Sequence, residues 1–487
     1  MPKKSDPDPP LRLPVKLEPT SNGEFFPRPP TRAIAHAQRS ALDTAVEAAR
    51  KLGVSRRDFL RSSCGAATVL LALNHLPGCG GGGSYRVPPE AAHDEDAADE
   101  ALGGDELIFD VQTHHVEAER PWWQADRPTL GDFLQRSPAS DCDADHWAEC
   151  FSRDAFVREV FMDSDTHLGV LSALWGDEAI NPIHADEMAK TRDRIAELGR
   201  RLRIHGVVLP KAHSAEETDE HMTALAETWK VAAWKLYPVW GPDGTGYRLD
   251  DDETGGRAIR KGLELGVPIV AVHKGLPLAG MDPTYTRPDD VGPAAKQHPD
   301  ASFLIYHSGF EVDHVEGSYD PDADRGVDAL ITSCKEHGIG KDGNVYAELG
   351  SLWREVMRDP DQAAHVLGKL LAHFGEDRIL WGTDAIWFGS PQDQIQAFRT
   401  FEISEQLQER HGYPPLTPEA KAKIFGLNAA RVYGVDAAEM KAATSGDELA
   451  RAKQRYRHDP QPSHRTYGPR SRREMLAFLR YKGGMPG

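Results

Sequence analysis

Several apolar runs in this sequence end in side chains that can bind a metal ion or move a proton. In the first run, which begins at Leu107, Asp110, Gln112 and His114 follow at alternate positions. Three later runs end in His273, His307 and Asp384. Short apolar runs of this kind are typical of buried strands. Four of them in one chain indicate a single site that is assembled from strand ends.

The residue types at these positions predict metal-assisted chemistry. Alternation along a strand would turn Gln112 and His114 towards the same side and His115 towards the other. Imidazole and carboxylate groups together suit zinc, manganese or iron. A divalent ion lowers the pKa of a bound water molecule and polarises a carbonyl group, and a histidine near neutrality is suited to moving the protons.

The elements that must position these residues alternate between strand and helix. Eight strand candidates begin at Leu107, Leu168, Gly206, Ala232, Val267, Phe303, Asn344 and Ile379. Longer polar segments with helical periodicity separate them, which implies parallel strands joined by crossovers. We therefore predict an α/β fold, a (β/α)8 TIM-type barrel over residues 107–435. A doubly wound open sheet is the alternative, but no Gly-rich dinucleotide fingerprint follows the first strand.

Composition sets the class of protein and excludes one class of partner. The chain has 487 residues, of which 39% are hydrophobic and 27% charged, as in a soluble globular protein. Its formal net charge of -19 argues against a nucleic-acid partner, because phosphate neutralisation needs clustered Lys and Arg. The five cysteines include no CxxC pair, so the sequence signals neither a disulfide framework nor a thiolate zinc site.

The segment before the barrel resembles an export signal. Residues 1–54 are rich in Pro and charged residues and predict a mostly disordered leader. Residues 55–79 begin with Ser-Arg-Arg-Asp-Phe-Leu and continue into an apolar run at 66–73, which resembles a twin-arginine signal. Its last residue, Cys79, resembles a lipid-anchoring site. A buried or amphipathic helix is the alternative.

Interpreted as an export signal, this segment predicts the twin-arginine machinery as a partner of the protein. It also predicts a location in the periplasm or cell envelope. Residues 80–106, with a Gly run and an acidic stretch, predict a flexible linker. Residues 436–487 are polar and basic and predict a C-terminal extension.

The ordered motifs of the barrel segment resemble the amidohydrolase superfamily. They are Phe-Asp-Val-Gln-Thr-His at 109–114, Val-His-Lys-Gly at 272–275, Tyr-His-Ser-Gly at 306–309, Trp-Gly-Thr-Asp at 381–384 and Ile-Phe-Gly-Leu-Asn-Ala-Ala-Arg at 424–431. The branch with aminocarboxymuconate-semialdehyde decarboxylase is the most similar. The resemblance implies one divalent metal ion, zinc first, with manganese or iron as alternatives. Its implied ligands are Gln112, His114, His273 and Asp384, with His307 acting on the substrate or its attacking water.

One ligand departs from this pattern. The family carries His or Glu at the first position, where this chain has Gln112. An amide oxygen is neutral and a weaker ligand than imidazole for a first-row metal, so metal affinity or metal choice is expected to differ.

Two further residues are substrate-binding candidates with an equal structural alternative. Lys235, on the fourth strand, would bind a substrate carboxylate or cap the strand rim. Glu348, after the seventh strand, would bind substrate at the barrel mouth or cap a helix.

The function expected from the resemblance is that of a metal-dependent hydrolase, with catalytic residues Asp384 and His307. Asp384 would orient and deprotonate a water molecule, which would attack the carbonyl carbon of a small lactone, ester or amide. His307 would stabilise the developing oxyanion or the leaving group. A non-oxidative decarboxylase is the first alternative, because both reactions use one set of ligands. A non-catalytic envelope protein that binds a small molecule on a degenerate barrel is the second. The sequence leaves a homo-oligomer open.

Overall fold

The computed structural model describes residues 12–18, 20–21, 25–76, 81–126, 129–134, 144–277, 281–458, 460 and 471–481. Cys79, the predicted lipid-anchoring residue, lies outside the described residues.

The chain folds around an eight-stranded parallel barrel, as predicted. Its strands are β2 (Phe109–Thr113), β3 (Leu168–Leu171), β4 (Leu202–Val208), β5 (Ala233–Leu236), β6 (Ile269–His273), β7 (Ser302–Tyr306), β8 (Val345–Glu348) and β9 (Ile379–Leu380). They are hydrogen-bonded in sequence order. Val111 N donates to Trp381 O at 3.0 Å and Asp384 N to Gln112 O at 2.9 Å, so the last strand meets the first. This closure confirms the (β/α)8 fold.

Helices cover the outside of the barrel between successive strands and after the last one. They are α5 (Gly131–Leu134), α6 (Arg153–Phe156), α7 (Ala185–Ala196), α8 (Ala215–Glu227), α9 (Gly255–Glu264), α10 (Val291–Gln297), α11 (Gly326–Glu336), α12 (Leu352–Val356), α13 (Pro360–Phe374), α14 (Gln392–Thr400), α15 (Glu405–His411), α16 (Pro418–Ala422) and α17 (Asn428–Val432). The interior is filled by side chains such as Val111, Val170 and Leu304, and Ala429 of α17 packs against this cluster. Tyr433 lies 5.4 Å from Phe109, ring centroid to ring centroid, so α17 closes the amino-terminal end of the barrel.

The segments before the barrel are more ordered than the sequence suggested. Helices α1 (Arg32–Leu52), α2 (Arg56–Arg61), α3 (Ser63–Asn74) and α4 (Glu95–Leu102) occur where a disordered leader, a signal-like segment and a flexible linker were expected. In α1, an alanine face that includes Ala37, Ala41 and Ala45 is buried. The overall composition of the segment gave no indication of this face. A short strand β1 (Gly83–Tyr85) pairs antiparallel with β10 (Phe401–Ile403).

The signal-like segment is part of this helical layer. Arg56 and Arg57 of α2 are exposed, whereas most side chains of α3 are buried. Helix α3 packs against α1 and α4. Of the two interpretations of residues 66–73, the structure contains the buried helix, and export stays a prediction. Among the described residues, no helix has both the length and the apolar character needed to cross a membrane.

The C-terminal extension is also helical where it is described. It contains α18 (Ala437–Gly446), α19 (Glu448–Tyr456) and α20 (Arg472–Tyr481). The Arg201 guanidinium binds Asp447 at 2.6 Å and also the carbonyl of Thr444, which fixes α18 and α19 to the start of β4.

Candidate metal centre and active site

The predicted ligands and proton-transfer residues lie at the carboxyl ends of their strands. Gln112 lies in β2 with His114 just after it, His273 ends β6, His307 follows β7, and Asp384 follows β9. All five side chains are almost completely buried. The backbone turns sharply at two of them, with φ of 66° at His307 and 60° at Asp384. Such conformations are uncommon for residues other than glycine and are concentrated at functional sites.

Gln112, His114 and Asp384 form one cluster. His114 Nε2 lies 3.1 Å from Asp384 Oδ1, and Gln112 Nε2 lies 3.2 Å from the same oxygen. His114 Nδ1 lies 3.0 Å from the carbonyl of Ser172, which can only accept, so this nitrogen carries a proton. The histidine is therefore held with Nε2 towards the carboxylate, the arrangement by which a backbone carbonyl orients a metal-binding histidine.

His273 and His307 form a second group beside the first. Their ring centroids are 4.8 Å apart. His273 Nε2 donates to Leu276 O at 3.0 Å, and His307 Nδ1 donates to Gly350 O at 2.7 Å. Each bond fixes the tautomer, because a carbonyl accepts only. In His307 the other nitrogen, Nε2, therefore presents a lone pair, and it is buried without a hydrogen bond.

The geometry of this cluster suits a divalent ion. Two ligands of one ion, each about 2.0–2.2 Å from it, are separated by about 3 Å, as are His114 Nε2 and Asp384 Oδ1. Gln112 Oε1 is buried without a hydrogen bond and offers a third donor atom, an oxygen. The donor set fits a zinc-like ion. Neither His273 nor His307 completes a close group of three ligand atoms with this pair. Among the described residues, the one close group of three His, Cys, Asp or Glu ligand atoms lies elsewhere.

That other triple consists of His314, Glu316 and Asp328. The ammonium of Lys369, which is itself buried, contacts both carboxylates, one of them Asp328 at 2.6 Å. Val327 N donates a further hydrogen bond to Glu316 at 2.9 Å. A lysine already neutralises this cluster, so we interpret it as an ion-pair network that ties α11 to α13.

Burial and local charge shift the pKa values of the site groups. Burial lowers the pKa of His307 to about 4, although the charge of Asp384 opposes this shift. Burial alone would raise the pKa of Asp384, but its interactions with His114 and His307 and a hydrogen bond from Ser351 hold the pKa below its usual value. The site therefore contains an ionised Asp384 and a neutral His307 at neutral pH.

Glu348 is turned towards the backbone of the site loops. Its Oε2 accepts from His307 N at 3.0 Å and its Oε1 from Gly350 N at 2.7 Å. A Cβ on Gly350 would lie 2.1 Å from Gln112 Oε1 and 2.6 Å from Glu348 Oε1, so only glycine fits between the two side chains. These contacts give Glu348 a positioning role, and its predicted substrate binding stays a prediction.

Lys235 is completely buried within the barrel. Its Nζ lies 3.6 Å from the ring centroid of Tyr306 and 4.6 Å from that of Tyr237. Tyr237 stacks on His273 with centroids 5.4 Å apart, which places the lysine charge close to the histidine pair. A buried cation beside two aromatic faces can attract an anionic group.

Two site residues were not anticipated from the sequence. Ser351 Oγ donates to Asp384 Oδ2 at 2.5 Å, and the ring of Trp387 stacks on His114 with centroids 5.5 Å apart. Ser351 lies in the loop after β8 and Trp387 in the loop after β9, so their positions in loops at the carboxyl ends of strands were the available signal. His115 points away from the site, as alternation predicted, and its Nε2 lies 3.0 Å from Thr191 Oγ1.

Comparison with known proteins identifies the family. Residues 184–435, slightly more than half of the chain, match the model of the amidohydrolase family. The protein therefore belongs to this family. No match was found among curated proteins.

Solved structures are similar only at a distance. A 2,6-dihydroxybenzoate decarboxylase from Rhizobium is 14% identical, with 68% of this chain and 99% of that chain covered and a TM-score of 0.42. A 5-carboxyvanillate decarboxylase from Sphingomonas paucimobilis is 12% identical, with 68% and 99% covered and a TM-score of 0.43. A lactonase from Listeria monocytogenes is 12% identical, with 68% and 96% covered and a TM-score of 0.39. The fold assignment rests on the strand order and the closure of the barrel.

Replacing Gln112 by His should retain or tighten metal binding, because imidazole is the better donor to a first-row metal. Metal content after purification without chelator, together with competition against a chromogenic chelator, measures the effect. Gln112→Ala is the matched removal and should weaken binding. If the Ala protein keeps both its metal content and its activity, Gln112 does not act on the metal.

Proposed function

We propose that the protein is a metal-dependent hydrolase that cleaves a small carbonyl compound such as a lactone, ester or amide. The supporting observation is the pair His114 Nε2 and Asp384 Oδ1, 3.1 Å apart at the carboxyl ends of the barrel strands. Active sites in barrels of this type lie at that end. A divalent ion bound by Gln112, His114 and Asp384, with His273 as the further ligand that the family resemblance implies, would supply Lewis-acid chemistry and a more acidic water molecule.

In this proposal, Asp384 contributes negative charge and orientation. Its Oδ1 faces Gln112 and His114, and its Oδ2 accepts the hydroxyl of Ser351. Because both oxygens are already engaged, rotation of the carboxylate is restrained. The sequence had also suggested Asp384 as the group that deprotonates water, and the geometry offers a second candidate for that step.

That candidate is His307. Its Nδ1 proton is committed to the carbonyl of Gly350, so Nε2 can accept a proton. Nε2 is also buried without a hydrogen bond, which leaves the lone pair available. We propose that His307 takes the proton from the attacking water and later passes it to the leaving group. An oxyanion-stabilising role, which the sequence also suggested, would need a proton on Nε2.

Lys235 supports substrates that carry a carboxylate. Its charge lies beside the rings of Tyr237 and Tyr306, close to His273. The same charge favours the alternative function, a non-oxidative decarboxylase, in which a substrate carboxylate would be held near the ligands while His307 or Asp384 delivers a proton to carbon. A non-catalytic protein that binds a small molecule is the remaining alternative.

A single assay design separates these functions. The metal-loaded protein is incubated with lactones, esters, amides and cyclic carboxylic acids in ¹⁸O-labelled water, and both label incorporation and CO2 are measured. Label in the product supports the hydrolase, whereas CO2 release without label supports the decarboxylase. Ligand binding without either product supports the binding protein. Chelator-treated protein is the control and should be inactive.

We also propose export in folded form by the twin-arginine route. Arg56 and Arg57 are exposed on α2 and are accessible to a receptor. Replacing both by Lys should trap the protein inside the cell, because the route is specific for the arginine pair. Fractionation of the cells measures the effect, and Arg50→Lys, a nearby exposed arginine of α1, is the control. An unchanged distribution of the double variant would show that the pair does not direct export.

A further inference from the structure

Residues 12–18 and 20–21, here called the strap, pack on the barrel although the sequence predicted a disordered leader. The side chains of Val15, Leu17, Thr20 and Ser21 are almost completely buried. A disordered segment would leave such residues in water. The strap is therefore part of the folded core, and two polar anchors determine what it touches.

The first anchor is Lys16. Its Nζ lies 2.8 Å from Asp393 Oδ1 and 2.7 Å from the carbonyl of Ser390, and its backbone N–H donates to Asp393 Oδ2 at 2.9 Å. Both partners of this ion pair are buried, with 5% and 3% of their side chains exposed. Ser390 lies near the end of the loop between β9 and α14, which also carries Asp384 and Trp387, so this anchor fixes the far end of that loop.

The second anchor is Arg354. Its Nη2 donates to the carbonyl of Glu18 at 2.7 Å and its Nη1 to that of Thr20 at 3.2 Å. Its guanidinium carbon also lies 4.2 Å from the ring centroid of Phe388, in the loop after β9. Arg354 belongs to α12, which begins directly after Ser351. This anchor therefore joins the strap to the loops after both β8 and β9.

We propose that the strap holds these two loops together and so keeps Ser351 and Asp384 in contact. Ser351 comes from one loop and Asp384 from the other, and their hydrogen bond of 2.5 Å is made between the two. Lys16, Arg354 and Asp393 are in this view positioning residues. The proposal concerns the support of the site and holds for each of the reactions considered above.

The strap has a consequence for the N-terminus of the working protein. It precedes the signal-like residues 55–79 in the chain, so cleavage within or directly after them would separate it from the barrel. The strap therefore predicts that the working protein keeps residues 12–79. This expectation opposes cleavage before Cys79 and lipid attachment there, and the intact mass of protein purified from its native compartment decides between them.

The direct test is Lys16→Met in the full-length chain, followed by hydrogen–deuterium exchange. Arg201→Met is the control, because Arg201 is a similarly buried cation that forms an ion pair with Asp447 at the opposite end of the barrel. Lys16→Met should make the amides of residues 384–390 and 350–356 exchange at least about tenfold faster, since an unpaired buried carboxylate remains at Asp393. In Arg201→Met, faster exchange should be confined to residues 437–456.

Chemical modification of the site histidines provides a second readout that a general loss of stability would not reproduce. His114 is almost completely buried against Trp387, and its reaction with diethyl pyrocarbonate should accelerate in Lys16→Met but not in Arg201→Met. Lys16→Arg, which keeps the charge, should restore much of the protection. Equal patterns in Lys16→Met and Arg201→Met, or faster exchange limited to the strap, would overturn the proposal.

If the Lys16→Met protein does not fold, hydrogen–deuterium exchange of the unmodified protein tests the same proposal. In low concentrations of urea, the strap and residues 384–390 should open together with the same dependence on urea, as one cooperative unit. If the strap opens at lower urea while residues 384–390 stay protected, it does not support the site.

Discussion

The Asp384→Asn protein is expected to fold, to keep part of its metal and to lose nearly all turnover. Asparagine preserves the shape of the side chain but removes the negative charge of the carboxylate. This carboxylate faces His114 and accepts a hydrogen bond from the hydroxyl of Ser351. The pKa of Asp384 lies below its usual value, because the interactions with His114 outweigh the effect of burial, so the ionised form is the one replaced. The electrostatic contribution of a single active-site group is worth about a hundred- to a thousand-fold in rate.

The measurement is turnover of a substrate found in the labelled-water assay, together with metal content and thermal unfolding. Ser351→Ala is the control variant, because it removes a hydrogen bond to the same carboxylate but leaves the charge. It should lose much less activity than Asp384→Asn. Near-parental turnover by the Asn protein would mean that Asp384 is structural and that the proposed mechanism is wrong.

The barrel was predictable because its signal is repeated. Each of the eight predicted strands overlaps or adjoins an observed one, although β4 begins at Leu202, four residues before the predicted start at Gly206. Arg203 and His205 interrupt the apolar pattern there, and the sequence reading skipped them. The fold class could be predicted because strand and helix alternate many times. The bounds of a single strand that contains polar residues could not, because they depend on tertiary contacts.

The N-terminal segments were misjudged for a different physical reason. Residues 1–54 are rich in Pro and charged residues, and this composition led to the prediction of disorder. The structure instead contains the buried alanine face of α1 and the buried Lys16 of the strap. Lys16 is bonded to Asp393, which lies 377 positions away in the chain. Local sequence contains no signal for such a contact, because only the closed barrel brings the two residues together.

The candidate site, too, could be predicted from the sequence only in part. The strand ends marked His114, His273, His307 and Asp384 as members of one site, and the structure brings them to one end of the barrel. The sequence could not show the tautomers, which depend on carbonyl groups of Ser172, Leu276 and Gly350. For this reason the assignment of His307 as a proton acceptor needed the structure.

Glu348 provides the last test, because its two interpretations predict opposite results. If it positions the loops, Glu348→Leu should leave the buried N–H groups of His307 and Gly350 without acceptors. Each such loss costs about 1–3 kcal/mol, so the free energy of unfolding should fall by about 2–6 kcal/mol. If Glu348 instead binds substrate, the Leu protein should keep its stability and show only a raised KM. Urea unfolding and steady-state kinetics on the same preparation distinguish the two.

The pH dependence of stability adds a sharper criterion for the same residue. Burial raises the pKa of Glu348 from 4.5 to about 8. Between these values the folded protein holds a proton that the unfolded chain has released, so the contribution of this group is fully present below about pH 4.5 and is lost as the pH rises through about 8. The free energy of unfolding of the parent should therefore decrease from pH 5 to pH 8.5 more steeply than that of Glu348→Gln, which cannot titrate. Parallel pH profiles for the two proteins would mean that Glu348 is ionised in the fold and that its burial is balanced by the two N–H groups.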